Sequence, residues 1–351
     1  MADTATTFRE SLVALGGRLG SHFGREVVAD FGDVDGEHRA LTTDVAVVDR
    51  TDRTQIELWG PDSRAFLHNL CTNEIRRLEP QRGCEAFLCD AQGRIVGHIF
   101  VYARPEALVV ESVAGQAETL LAHMDRYLIR EQVELIDRTT TWAQLMLAGP
   151  QAGTLLQSMG VEQPDTAMGS HGATKIAGHD VWIRRIADVS PDALAIVCSQ
   201  ENTQAVWRCL TDAGARPAGA TVAEMARIEA GLPEFGVDIP PKTLPQEVAR
   251  DEQTISFVKG CYIGQETVAR IDALGHVNKL LRGVQFAGST VPAAGTVLLG
   301  DDKEVGRVTS AAQSPRLDAP LALAYVRRGN DAEGTTLDCE YGQATVVRLP
   351  I

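Results

Sequence analysis

The sequence predicts an α+β protein: two related α+β lobes followed by a small all-β domain. Three observations carry this reading. A strand–Gly-Pro–helix unit occurs twice, at Gly60-Pro61 and at Gly149-Pro150, as a duplicated lobe requires. From about Leu280 onward, short alternating apolar runs are separated by Gly, Pro, Asp and Asn, the pattern of a barrel or sandwich. The hydrophobic fraction of 44% over 351 residues supplies more than one core. The expected boundaries are 1–140 for the first lobe, 141–279 for the second lobe with its connector, and 280–351 for the β domain. The end of the second lobe carries a KGCYIGQE stretch placed to pack back on the first lobe.

The elements follow in order. A helix is expected near Phe8–Leu15, ending at Gly16-Gly17. The GGRLG run there lacks the spacing and the Lys-Ser/Thr of a phosphate loop and reads as a glycine turn. Gln55 to Trp59 alternates polar and apolar, as a strand does. Pro61 then suits the first turn of a helix whose apolar face holds Phe66, Leu67 and Leu70. The second copy runs from Leu145–Ala148 through Gly149-Pro150 into a helix with Leu155, Leu156 and Met159, stopped at Gly160. Between the copies, Cys84–Cys89 and Gly93–Tyr102 read as strands joined by the Asp90-Ala91-Gln92-Gly93 turn. Thr221 and Glu224 have capping-box spacing, and Gly231 with Pro233 closes the helix they open. Pro240 to Pro245 is a proline-stiffened connector. Strands are expected at Gly283–Phe286, Thr296–Leu299, Val305–Thr309, Leu321–Val326 and Ala344–Leu349.

Composition excludes several function classes. A formal charge of −14 opposes a nucleic-acid binder, which needs clustered Lys and Arg. No apolar run approaches the ~20 residues of a membrane helix, and the N-terminus shows neither a signal nor a transit pattern. A cytoplasmic protein is expected. Seven scattered cysteines read as reduced thiols, not a disulfide framework. Cys84 and Cys89 point to opposite strand faces and read as packing thiols. The eight histidines show no ligand spacing, so no metal site is expected. His98, mid-strand among Ile95, Ile99 and Val101, reads as structural.

The stretch with most chemistry is Lys259-Gly-Cys-Tyr-Ile-Gly-Gln-Glu-Thr-Val-Ala-Arg270. Gly260 and Gly264 bracket the cysteine, and Gln265 to Ile271 reads as a helix ending by Gly275. Cys261 then precedes a helix N-terminus and lies near Lys259, and both favour thiolate. The other reading is a buried, inert cysteine. His276 is close in sequence, but nothing marks it as the base of a nucleophilic pair. Glu229, one turn before its helix ends, is either a solvated carboxylate or one aimed at a pocket.

KGCYIGQETVAR resembles the K-G-C-Y-x-G-Q-E signature of the YgfZ-type folate-binding proteins, relatives of the glycine cleavage T protein, an aminomethyltransferase. Gly60-Pro61 through Thr72-Asn73 resembles that family's first lobe. Arg227-x-Glu229-x-Gly231 with Gly236-x-Asp238 resembles its folate-site helix, and Val305-Gly306-x-Val308-Thr309-Ser310 with Ser314-Pro315 its C-terminal barrel. The resemblance implies a three-lobed aminomethyltransferase-like fold with two α+β lobes and a C-terminal β-barrel. It implies tetrahydrofolate or a one-carbon derivative as cofactor, Cys261 as the reactive thiol, and a role in making or repairing iron–sulfur clusters in client enzymes met transiently, including a tRNA-modifying radical enzyme. Folate contacts fall on Arg227, Glu229, Lys259, Gly260, Tyr262, Gln265, Glu266, Arg270 and Tyr102. Glu229 would accept two pterin N–H groups in a bidentate pair. Lys259, Arg270, Lys279 and Arg282 would supply positive charge for the folate tail. Aminomethyltransferases carry an Asp-Asp pair where this chain has Gly97-His98, so aminomethyl transfer is the secondary expectation and a non-catalytic folate scaffold the third.

Overall fold

The computed structural model describes residues 7–186, 189–190 and 192–351. The chain divides into two compact units, residues up to Asp52 with Thr140–Ala226, and Arg53–Thr139 with Arg227–Ile351. The chain passes from one unit to the other near residue 140, and also at 52–53 and 226–227, where no boundary was expected. Strand Ala46–Asp49 pairs antiparallel with Trp142–Ala148, so the first fifty residues complete the sheet of the second copy.

The first unit is built on a six-stranded sheet. Its order is His171–Ile176, His179–Arg185, Leu194–Ser199, Trp142–Ala148, Ala46–Asp49, Arg216–Ala218. One face packs Leu145, Leu147, Ile183 and Ile196 against Leu155, Leu156, Trp207 and Leu210. The other packs Val48, Met146 and Ala195 against Leu41, Val222 and Ala226. A hairpin of Arg18–His22 with Arg25–Asp30 and a helix at Val34–Thr43 were not expected. The Ala220–Ala230 helix starts one residue before Thr221, so Thr221 is no N-cap. Glu224 instead pairs with His22, at 3.2 Å.

The second unit holds a five-stranded antiparallel sheet: Gly83–Cys89, Ile95–Ala103, Ala107–Ser112, Thr54–Trp59, Glu134–Asp137. Its core joins Ile56, Leu58, Ile99 and Val110 to Phe66, Leu67 and Leu70 of helix Ser63–Leu70 and to Leu120 and Met124 of helix Ala117–Asp125. Four strands of the two sheets correspond in order, and the Gly-Pro turns correspond in geometry. Gly60 and Gly149 have φ of +120° and +116°. A Cβ at Gly60 would lie 2.1 Å from the Gln132 carbonyl oxygen, and one at Gly149 would lie 2.3 Å from that of Asp44. Only glycine fits both the backbone and the space. Pro61 lies in the turn, two residues before the helix, and not in its first turn.

Residues Lys279–Phe286, Ala319–Arg327, Lys303–Ser314, Val297–Gly300, Thr336–Cys339 and Gly342–Val347 form a closed six-stranded barrel, in that order. Phe286, Leu298, Val308, Ala324 and Val346 fill it. Thr336–Cys339 was not expected as a strand, because four residues give the period-2 pattern little length to show.

A buried polar knot ties the barrel to the chain that leaves the Ala220–Ala230 helix. Arg227 donates to the Asp238 carboxylate at 2.7 Å, to the Leu232 carbonyl at 2.6 Å and to Ser310 Oγ at 3.0 Å. Asp238 also accepts from Ser310 Oγ, Thr309 Oγ1 and the Glu234 N–H. Both charges are buried, and each is paid for by several partners. Asp238→Ala is therefore expected to cost about 3–5 kcal/mol by stranding Arg227, and Ser310→Ala about 1 kcal/mol. Urea unfolding midpoints of the two variants measure the difference.

Candidate functional site

The KGCYIGQE stretch is held in the second unit, and its lysine does the holding. Helix Ser63–Leu70 ends with carbonyls that lack helical partners, and its C-terminus favours positive charge. Lys259 Nζ donates to the carbonyl oxygens of His68 at 2.6 Å, Cys71 at 2.7 Å and Asn73 at 2.7 Å. An ammonium has three N–H donors, and these three carbonyls use them all. The Tyr262 ring lies under the same ammonium, 4.9 Å from ring centroid to Nζ. Burial lowers the lysine pKa, so desolvation opposes the charge that the carbonyls stabilise. Lys259 is thus an anchor, its three N–H groups taken by protein carbonyls.

Neighbouring bonds extend the seam. Thr72 Oγ1 donates to the Thr254 carbonyl and accepts from the Phe87 N–H. Asn73 Nδ2 donates to the carbonyls of Glu85 and Gln253, and the Ile263 N–H donates to the Asn69 carbonyl. Gly264 caps helix Gln265–Leu274 with φ of +82°. A Cβ there would lie 2.5 Å from the Asp90 carbonyl oxygen and 2.7 Å from Gly93 Cα. The motif's second glycine is therefore needed where the helix start meets the hairpin turn.

Cys261 is the one exposed cysteine of the seven. Phe257 and Val258, 47% and 96% exposed, precede it on the same loop. Burial pushes the thiols of Cys71, Cys84, Cys89 and Cys198 up. Among the described residues, no group of three or more His, Cys, Asp or Glu is arranged to hold a metal.

His68 is the residue near the motif that the sequence did not suggest. Its Nε2 is 3.9 Å from where a Cβ of Gly260 would stand. Its Nδ1 accepts from the Ile75 and Arg76 N–H groups and lies 3.1 Å from Glu74 Oε1. Burial and then the Lys259 charge lower its pKa, against the pull of Glu74. Nothing local marks this histidine, because 191 residues separate it from Lys259 in sequence.

The expected folate residues divide. Glu229, 3% exposed, faces the barrel: it accepts from Ser314 Oγ at 2.6 Å and lies 3.5 Å from Arg316 Nε. Arg227 is committed to the Asp238 knot. Tyr102 is buried in the sheet. Arg282 pairs with Asp331 at 3.1 Å, and Lys279 stacks on Tyr325. Gly260, Glu266 and Arg270 are exposed, and Gln265 is half-buried. Only the motif residues gather around Cys261. The Glu229 carboxylate, expected as a pterin acceptor, has partners on the barrel.

Gly97 and His98 sit mid-strand. A Cβ at Gly97 would lie 2.5 Å from Leu120 Cδ2, and Leu120 is fully buried. His98 is buried, 2.7 Å from Glu85 Oε1 and flanked by Phe87 and Phe100. Arg250 grips both oxygens of the same Glu85, each at 2.6 Å.

The GCVT N-terminal domain family matches residues 8–252 of this chain, and the glycine cleavage T-protein C-terminal barrel domain matches residues 279–351. The chain belongs to the glycine cleavage T-protein family. An aminomethyltransferase of Nostoc is 30% identical over 99% of this chain and 96% of its own length. One of Rubrobacter xylanophilus is 29% identical over 92% of this chain and 86% of its own length. The structure of glycine cleavage system aminomethyltransferase T from Bartonella henselae superposes with a TM-score of 0.89 at 21% identity, over 97% of this chain and 96% of that one. The T-protein fold with its C-terminal barrel is thereby shown, as the α+β reading expected. No helix among the described residues is long and apolar enough to cross a membrane.

Two measurements test this geometry. Lys259→Met is expected to lose about 3 kcal/mol or more of stability, from three bonds to a charged donor, read from denaturant midpoints. Burial raises the Glu85 carboxyl, but Arg250 and then His98 outweigh it and hold it down at about 2. Its contribution is complete above the ordinary value of 4.5 and is lost as pH falls towards about 2. Wild type should lose about 3 kcal/mol across that window, and Glu85→Gln should lack that part of the slope.

Proposed function

We propose that this chain is a tetrahydrofolate-binding family member that supports synthesis or repair of iron–sulfur clusters in client enzymes, with Cys261 as its reactive thiol and without aminomethyl transfer. The observation that carries the reading is the strand at Gly97-His98. Aminomethyl transfer in the resembled enzymes needs a carboxylate there. Here Gly97 abuts Leu120, and His98 is locked to Glu85. The complete KGCYIGQE signature, with its cysteine exposed, supports the cluster-maintenance branch. Tetrahydrofolate fits part of the expected residue set. Gln265, Glu266 and Arg270 are open to a ligand beside Cys261, whereas Arg227, Glu229 and Lys259 are held by protein partners.

A second reading has one observation in its favour: relatives named aminomethyltransferase match at 29–30% identity along almost the whole chain. It predicts ammonia and methylene-tetrahydrofolate from an aminomethyl donor. The cluster reading predicts no such release from the purified protein. It predicts that Cys261→Ser, while still binding tetrahydrofolate in a calorimetric titration, lowers client cluster content and tRNA thiomethylation in cells. Release of ammonia would establish the transferase instead. Normal client activity with Cys261→Ser would leave a folate scaffold.

A further inference from the structure

The segment that carries Cys261 lies against the end of helix Ser63–Leu70, where Lys259 is seated. A Cβ at Gly260 would meet a single atom within 4 Å beyond its chain neighbours, His68 Nε2 at 3.9 Å. Glycine therefore leaves that nitrogen uncovered, one residue from the exposed thiol.

His68 is 3% exposed. Its Nδ1 is enclosed by the Ile75 and Arg76 N–H groups and by Glu74, whereas Nε2 has no hydrogen-bond partner in the protein. Nor is Nε2 one of the unpartnered side-chain atoms that are sealed from solvent among the described residues, so it can be reached. The neutral ring has two forms. With Nδ1 bare, it accepts from the two amides at 3.4 Å each. With Nδ1 protonated, it donates to Glu74 Oε1 at 3.1 Å, and Nε2 carries the lone pair. The second contact is shorter and charge-assisted. Burial, then the Lys259 and Arg76 charges, lower the ring's pKa against the pull of Glu74. The imidazole is then neutral at pH 7 and free to take a proton.

An exposed thiol beside an open imidazole nitrogen, with a carboxylate on the far side of the ring, has the parts of an activated nucleophile: thiol, base and the group that orients the base. We propose that His68 Nε2 accepts the Cys261 thiol proton through one water, with Glu74 as the positioning residue that holds the Nδ1 proton. The S–H bond breaks and its electron pair stays on sulfur. The proton passes to the water, which gives one of its own to Nε2, leaving thiolate, imidazolium and the water unchanged. The Glu74 carboxylate favours the imidazolium, and the Lys259 and Arg76 charges oppose it, so the proton is readily returned. This inference rests on the reading of Cys261 as the reactive thiol and adds its base, which lies on a helix far away in sequence.

Alkylation of the full-length protein by iodoacetamide, with Cys261 modification followed by peptide mass spectrometry across a pH series, tests it. A thiol without a base is only a few per cent thiolate at about pH 7. Wild type should therefore react about tenfold faster there than His68→Gln, and the gap should close above about pH 9, where thiols ionise unaided. The substitution keeps the His68 carbonyl that seats Lys259. Glu74→Gln, at a half-buried position, should melt as wild type does and show a smaller loss with the same pH shape. The proposal is overturned if a His68→Gln that melts as wild type is alkylated at the wild-type rate, or if its loss persists undiminished above about pH 9, which would mark altered access to the loop. Should His68→Gln melt lower, an unchanged pH profile in Glu74→Gln overturns it. The rates are read on the protein alone, so they are separate from the cellular test of Cys261→Ser. Unchanged rates strike the base and leave the cluster reading, and normal clients with Cys261→Ser strike the cluster reading and leave the base.

Discussion

The ammonium of Lys259, seated on three carbonyls at the end of helix Ser63–Leu70, is the contact on which the motif region depends. One belongs to the helix's last turn, and the Cys71 and Asn73 carbonyls follow it in the chain that leaves the helix. The lysine satisfies them from a segment far along the chain, and in doing so fixes where that segment lies. The adjoining bonds of Thr72, Asn73 and Ile263 all run along the seam that this anchor creates. A motif that reads as a reactive cysteine with a helpful lysine thus splits into two roles. The lysine builds, and the cysteine is what the building exposes.

The same division holds around Arg227. Arg227-x-Glu229-x-Gly231 with Gly236-x-Asp238 resembles a folate-site helix, and the resemblance implied ligand contacts at Arg227 and Glu229. In the fold they face the barrel. Asp238 gathers Arg227, Thr309 and Ser310, and Glu229 takes Ser314. Gly231 belongs to the same junction: a Cβ there would lie 2.8 Å from the Leu349 side chain. Arg227 and Asp238 are buried as a pair, so removing one of them costs more than the pair itself contributes.

Local features were legible because they are local. The duplicated Gly-Pro turns, the Asp90–Gly93 hairpin, the capped Gln265–Leu274 helix and most barrel strands follow from glycine stereochemistry and period-2 alternation. What could not be read was pairing across long separations. The strand Ala46–Asp49 joins the second copy's sheet, and no short-range signal directs it there. His68 beside Gly260, and the Glu85 carboxylate shared by Arg250 and His98, are likewise products of the fold. Sequence reasoning named Cys261 correctly as a residue before a helix. It did not show the protein partners of Lys259 and Glu229, because charge alone does not say whether a partner is solvent, ligand or protein.

The loop that carries Cys261 is pinned on both sides: Lys259 is bonded before it, and Ile263 and Gly264 are fixed after it. Only Gly260, Cys261 and Tyr262 lie between these fixed points, and the Tyr262 ring is itself buried under the ammonium. An exposed thiol on so short a span has little backbone freedom left to lose. Ordering a flexible loop would cost about 1–2 kcal/mol per residue, and here that entropy has been lost on folding. A partner that meets this thiol meets it in one presentation, so selectivity can rest on shape and approach angle instead of on a large contact area.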